Sequence, residues 1–287
     1  MIDKAKASAR DGSMRLRICW AMGTIWFVSF LLSQLMAGTG AGAAAGGIMV
    51  LMLIAIVAVH GSMLYGWPGF GVYLAMGTAI GFGLEASSVA NGFPFGSYVH
   101  NTPGPKPLGV PIQAIVVYVL AGWYAWAIGR SILLDQPDRI GGAGYVAVPL
   151  VAAFILCGLD YPNDPIGATI KGDWTYAHPG GQFGVPLSNY LGWIFTGWVL
   201  FQLFSLIEKR FPPCEAVQSR RYWLLPCLMW LAMPLQFVFS WLGAPGGTVN
   251  LGESTFVIAD IHEAALIGSL FSMVLPALIA IYRLVGR

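Results

Sequence analysis

Three acidic residues stand in stretches where an acid is costly. Glu85 lies in GFGLEASS, and Asp160 and Asp164 lie in LCGLDYPNDP, inside or at the edge of long apolar runs. A charge at mid-bilayer costs about 2.5–3.5 kcal/mol on insertion scales, so such residues normally face a bundle interior and mark function. Asp260 and Glu263, with His262 between them, open a further apolar run in IADIHEAAL. A solvated edge position serves Asp164 and Asp260 equally well, because the cost falls near the interface. Burial away from water favours the uncharged carboxylic acid. Such an acid aimed at an alkene is a Brønsted acid catalyst. The faces of Tyr98, Trp123, Trp174, Tyr176, Trp193 and Trp198 could then stabilise a carbocation through their ring quadrupoles.

The same region holds two related loops. YVHNTPGPKPLGVP runs from Tyr98 to Pro111, and YAHPGGQFGVP from Tyr176 to Pro186. Each opens on Tyr-x-His (Tyr98/His100 and Tyr176/His178) and closes on Gly-Val-Pro. Gly109 precedes Gly122-Trp123 by thirteen residues, and Gly184 precedes Gly197-Trp198 by the same thirteen. Pro111 and Pro186 suit the first turn of a following helix, where the missing N–H has no partner to lose. His100, His178 and His262 show no HxxxH or HxxH spacing, so no metal is assigned to them. No P-loop, HExxH, GxSxG or strand-associated glycine fingerprint occurs, and no cofactor is expected. Cys19, Cys157, Cys214 and Cys227 form no CxxC pair and are assigned no disulfide or metal; Cys19, Cys157 and Cys227, in or beside apolar runs, read as small buried hydrophobes.

These residues need elements to position them. The chain of 287 residues is 57% hydrophobic and 10% charged, against about 25% charged for an ordinary soluble domain. Lipid is therefore the solvent for most of it. Apolar runs of about 20 residues without strict alternation predict transmembrane helices, at 18–36, 43–64, 69–90, 110–134, 143–163, 185–207, 222–243 and 257–284. The fold expected is an all-α integral membrane protein of about eight transmembrane helices. Residues 1–17 form a basic tail, and 18–287 a single transmembrane domain. A retained first helix is expected rather than a cleaved signal peptide. Thirteen Lys and Arg residues fall on one side of these spans, against Lys106 and Lys171 on the other. That bias puts both termini in the cytoplasm and the acids and both loops in the outer half of the membrane. Spans three–four and five–six (units 69–134 and 143–207) read as an internal parallel repeat of two helical hairpins. The net charge of +2 is not gathered on a soluble face, so nucleic acid is not an expected partner; membrane lipids and an apolar substrate are.

The stretch GLEASSVANGFPFGSYVH…GPKPLGVPI, followed by LDYPNDPIGATIKGDWTYAHPGGQFGVPLSNYLGW, resembles the membrane-embedded carotenoid-biosynthesis family that includes carotenoid 1',2'-hydratases. The resemblance covers roughly residues 70–200. Its first element matches at Glu85, Pro94, Phe95, Gly96 and Tyr98. Its second matches at Asp160, Asp164, Pro165, Trp174, Tyr176, Phe183, Gly184, Pro186, Asn189, Gly192 and Trp193; Tyr176 stands where Trp is common. The resemblance implies water addition across the terminal double bond of an acyclic polyene, without a redox cofactor, in the cytoplasmic membrane of a prokaryote. Glu85 or Asp160 would donate the proton, and the other would orient water with Tyr98, Tyr176 or His178, Asp164 lying beside them. Phe95, His100, Trp123, Trp174, Asn189, Trp193, Trp198, His262 and Glu263 are expected to line the substrate site. An isoprenoid cyclase using the same protonation, or a lipid transporter, are the alternatives; the near absence of polar residues from the inner halves, His60 apart, speaks against a transporter.

Overall fold

The computed structural model describes residues 2–211 and 213–286. Among them, seven helical segments are long and apolar enough to cross a membrane: 12–35, 40–91, 112–133, 144–171, 187–210, 220–242 and 258–285. The chain is an all-α protein of the membrane type. Its helices are α1 (Ile2–Leu35), α2 (Gly40–Asn91), α3 (Ile112–Leu133), α4 (Gly144–Pro165), α5 (Leu187–Ile207), α6 (Arg220–Ala232), α7 (Leu235–Leu242), α8 (Ile258–Ser269) and α9 (Leu275–Val285). Where a basic tail was expected, the backbone is already helical from Ile2. The side chains of Lys4, Lys6 and Arg10, and residue Arg287, lie outside the described residues.

Two of the expected spans, 43–64 and 69–90, fall within α2. Its 52 residues would extend about 78 Å as one straight rod, far more than the roughly 30 Å of a hydrocarbon core. The helix is broken at Gly66, whose φ of 63° and ψ of 170° are not helical, and Pro68 follows with no N–H to offer. An added Cβ at Gly61 would run into the ring of Phe70. In an unbroken helix those residues would sit about 13.5 Å apart along the axis. The chain therefore bends sharply at Gly66, which divides α2 into two arms, 40–65 and 67–91.

The expected span 222–243 is also divided, into α6 and α7 around Pro234, while α8 and α9 are joined by a π-helical turn, Leu270–Val274. Two short antiparallel sheets lie among the loops. Strand β1 (Tyr98–His100) pairs with β2 (Trp174–Tyr176), joining the two Tyr-x-His loops to each other. Strands β3 (Thr248–Leu251) and β4 (Ser254–Val257) form a hairpin turned by Gly252 and Glu253, which nothing in the sequence reading anticipated. It folds over the second Gly-Val-Pro loop, with Phe256 edge-on to Phe183 at 5.7 Å between centroids.

The end of the bundle opposite β1 and β2 is locked by a buried ion pair. Arg130, in the last turn of α3, is only 1% exposed and places Nη1 2.5 Å from Oε2 of Glu208, itself 4% exposed. The Tyr65 hydroxyl donates to Glu208, while Trp126 Nε1 donates to Tyr65 at 2.8 Å and Arg130 Nε to the Pro137 carbonyl at 2.6 Å. The guanidinium also lies over the rings of Trp126 and Trp223. Arg130, one of the thirteen basic residues assigned to one side of the spans, is thus an interior structural charge. Removing one member of a buried pair strands the other and costs about 3–5 kcal/mol. Arg130→Met is expected to lower the thermal midpoint of the detergent-solubilised protein sharply, and adding Glu208→Gln to recover much of the loss. An unchanged midpoint in Arg130→Met would remove this lock from the account of stability.

Candidate active site

In the β1–β2 ladder Tyr98 lies opposite Tyr176, Val99 opposite Thr175, and His100 opposite Trp174. Successive residues of a strand point to opposite faces. Val99 and Thr175 are exposed, whereas Tyr98 and Tyr176 are buried with their rings 5.7 Å apart. Outside the ladder, Asn101 Nδ2 closes the joint by donating to the Gly172 carbonyl and to Thr175 Oγ1 at 3.0 and 2.8 Å. The two loops thus deliver one tyrosine each to a single interior point.

Each tyrosine meets an acid from the helix that precedes its loop. Tyr98 donates to Oε2 of Glu85, and Tyr118 of α3 donates to Oε1 of the same carboxyl at 2.7 Å. His100 Nε2 stands 3.5 Å from Glu85 Oε2. On the other side, Tyr176 donates to Asp164 Oδ2 at 2.8 Å. Asn189, in the first turn of α5, donates through Nδ2 to Asp164 Oδ2 at 2.5 Å and to Asp160 Oδ2 at 2.8 Å. Asp160 and Asp164 reach one amide because residues i and i+4 share a helix face. Glu85, Asp164 and Asn189 are buried, and Asp160 is half-buried.

The hydrogen bonds are unevenly distributed among the carboxyls. Glu85 receives two phenols, and Asp164 receives one phenol and one amide. Asp160 has a single donor, Asn189, among the described residues. Burial first, and then the neighbouring Glu85 carboxylate, pushes the Tyr98 phenol far above its ordinary range; Asp164 and Asp160 add to the effect. Burial and then Asp164 and Asp160 do the same to Tyr176. Both phenols are held as neutral donors, and acids of both α2 and α4 act on Tyr98.

Aromatic residues wall this cluster. Tyr118 stacks on Trp193 at 4.6 Å and 23°, and Phe95 stands edge-on to Trp193 at 6.3 Å. Phe95 is pinned at both backbone ends: its N–H donates to Ser88 Oγ at 2.8 Å, and its carbonyl accepts from Ser188 Oγ at 3.1 Å. Its ring fills the space over Gly192, where an added Cβ would come within 2.5 Å of it. That close approach accounts for glycine one turn inside α5.

The remaining sequence candidates lie elsewhere or at the margin. Trp174 lies two residues before Tyr176 on β2, opposite His100, and interacts with Asp164. His178 is exposed in its loop, and among the described residues no hydrogen bond ties it to the cluster, whereas His100 lies within ion-pair distance of Glu85. Trp123 is buried farther along α3, donating to His60 Nδ1 at 3.1 Å among Tyr65, Phe70 and Tyr73. Trp198 is part-exposed beside Phe195. His262 is buried at the start of α8 with Nδ1 lacking a hydrogen-bond partner among the described residues, and Glu263 is exposed. Tyr118 is the cluster member that sequence reasoning missed. Extending the Gly109/Gly184 register places Tyr118 opposite Trp193, and that match was the available signal.

A family model described as "Carotenoid biosynthesis protein" matches residues 45–279 of the chain. A curated protein of Haloarcula japonica, named bisanhydrobacterioruberin hydratase, is 31% identical over 202 residues, which is 69% of this chain and 61% of that protein. The chain thus spans about three fifths of the length of this relative. No solved structure matches it.

The raised phenols generate a pH prediction. Above the ordinary tyrosine value of about 10, unfolded phenols release protons that folded Tyr98 and Tyr176 retain. The unfolded state is then favoured, and stability falls as pH rises through that range. Absorbance titration of the folded protein to pH 11 is expected to show the same number of ionising tyrosines in Tyr98→Phe/Tyr176→Phe as in the parent. A loss of two from that count would mean that these phenols are open to water.

Proposed function

The chain belongs to the carotenoid biosynthesis protein family, and from that premise we propose that it adds water across a terminal trisubstituted double bond of an acyclic polyene. The observation that carries this reading is the meeting of two buried carboxyl sets at the Tyr98–Tyr176 pair inside an aromatic wall. It is supported by the printed name of the Haloarcula relative, a hydratase.

In this reading Asp160 is the acid. It has the fewest donors of the three carboxyls and so gains least from ionising. Its proton passes to the less substituted alkene carbon, the π pair forms the new C–H bond, and the other carbon becomes a tertiary cation. The ring faces of Tyr118 and Trp193 lower the energy of that cation. Water then bonds to the cation through oxygen. Glu85, which accepts from Tyr98 and Tyr118, takes up the proton that water releases, and proton return to Asp160 completes the cycle. The balance is one alkene and one water to one tertiary alcohol, with no change of redox state and no cofactor consumed.

The same reading takes eight membrane crossings, with the two arms of α2 counted separately. It puts the acids in the outer half, in line with the thirteen-to-two distribution of basic residues, and treats the two hairpin units as copies. Support for the last point comes from their backbones. Leu108-Gly109 and Phe183-Gly184 each put two consecutive residues at positive φ, 49° and 82° in the first and 49° and 91° in the second.

Expressed in a host that supplies acyclic carotenoids, Asp160→Asn is expected to abolish the hydroxylated product at normal protein levels. Glu85→Gln is expected to reduce it by about 10²-fold or more, the scale of a lost acid–base group. In ¹⁸O-labelled water the product should carry one heavy oxygen. Normal hydroxylation by both variants would refute the acid assignments, and a cyclised product without ¹⁸O would replace hydration by cyclisation.

A further inference from the structure

The proposed reaction brings a long apolar molecule to carboxyls buried behind aromatic side chains, so the substrate needs a way in. A cleft of about 580 Å³ opens between α4, α8 and the 182–183 loop, lined by Tyr161, Phe183, Ala264, Ile267, Gly268 and Phe271 among others. That volume is in the ordinary range for a bound small molecule. Ile267 and Phe271 belong to an apolar membrane-crossing segment, and both are exposed, Phe271 by 69%. The open side of the cleft therefore faces lipid.

Both ends of the cleft are defined. At one end Gly158 and Ser272 bring α4 and the π-helical turn into contact, with Ser272 Oγ donating to the Gly158 carbonyl at 2.7 Å. At the other stands Phe183, a non-glycine residue at a φ of 49°, held by the Thr169 hydroxyl on its carbonyl and by the ring of Phe256. Left-handed bulky residues are uncommon, and strain of this kind gathers at functional sites. π-Helical turns do so as well.

The cleft also adjoins the acids. Tyr161 follows Asp160 in the chain, so on α4 it stands about 100° round from Asp160 and about 60° from Asp164. Its ring lies 5.3 Å from that of Tyr190, the residue after Asn189. The Tyr190 hydroxyl is buried without a hydrogen-bond partner among the described residues. This pair of rings is the partition between cleft and carboxyl cluster.

We propose that the cleft between α4 and α8 is the lateral entry and binding site for the polyene chain, whose reacting end passes the Tyr161–Tyr190 partition to reach Asp160. The inference rests on the hydration reading for the identity of the occupant. The polyene comes from the bilayer and lies along Phe183, Ile267 and Phe271. The cleft then selects for chain length, and the carboxyl cluster for the end-group.

Two measurements on the full chain in lipid nanodiscs test this. The first is photolabelling by an acyclic polyene bearing a mid-chain diazirine, read by peptide mass spectrometry. Labelling is expected within Ala264–Ser272 and at Tyr161, saturable and displaced by unlabelled polyene but not by added phospholipid. Non-saturable labelling spread over exposed helices would mean an ordinary annular lipid surface and would overturn the proposal. The second is the ratio of turnover on a long polyene to turnover on a short isoprenoid alkene with the same end-group. Ile267→Trp, which fills the cleft from an exposed position, should lower this ratio at least tenfold. Leu203→Trp, on an exposed face of α5, should leave it unchanged. An unaltered ratio in Ile267→Trp would also overturn the proposal. If the parent protein hydrates neither alkene, the hydration reading fails, and the photolabelling alone still decides the cleft.

Discussion

A carboxyl group cannot be left bare in hydrocarbon, and the architecture around the two Tyr-x-His loops follows from that constraint. Each unsatisfied polar group in such a medium costs several kcal/mol. Glu85 comes from α2 and Asp160 and Asp164 from α4, and their hydrogen bonds come from two loops and two further helices. The donors are neutral phenols and an amide, not Lys or Arg. A cation beside these carboxyls would hold them ionised, whereas neutral donors leave room for a protonated form. At the opposite end of the bundle Glu208 faces the same cost and meets it with Arg130. One end carries a fixed ion pair and the other a set of acids with, among the described residues, no basic partner except His100, and only the second arrangement suits proton transfer.

The backbone explains how loops achieve what helices could not. A three-residue ladder places Tyr98 and Tyr176 side by side from chain segments nearly eighty residues apart, because opposite residues of paired strands are neighbours and alternate residues share a face. The paired positive-φ residues before Val110 and Val185 turn both loops back into α3 and α5 in the same way. Pro111 and Pro186 then occupy the cap position, one residue before each helix begins. Tyr118 and Asn189, early in those helices, are thereby carried to the two carboxyl sets.

The acids, the loop pair and Asn189 were all visible in the sequence, since polar residues in apolar runs are conspicuous and repeated motifs keep their register. Gly66 and Pro68 marked the turn between two expected spans, although α2 runs through both. The β3–β4 hairpin was hidden because TVNLGESTFV is short and polar and reads as loop. Its strands matter through Phe256 against Phe183, a contact without a local signature. Tyr118 was overlooked because one tyrosine in an apolar helix looks like packing. The separation of His178 from His100 could not be read from motifs that treat them alike.

The sequence by itself determined that the chain is an all-α protein of the membrane type and which side chains are too polar to face lipid. Those properties follow from local composition and from the price of transferring polar groups into hydrocarbon. Only the tertiary structure decided which carboxyl each tyrosine serves, that Asp160 keeps the fewest donors, and that α4 and α8 part to leave a cleft beside it. Such facts depend on distances between residues far apart in the chain, and they arise from packing many surfaces at once, which no local pattern encodes.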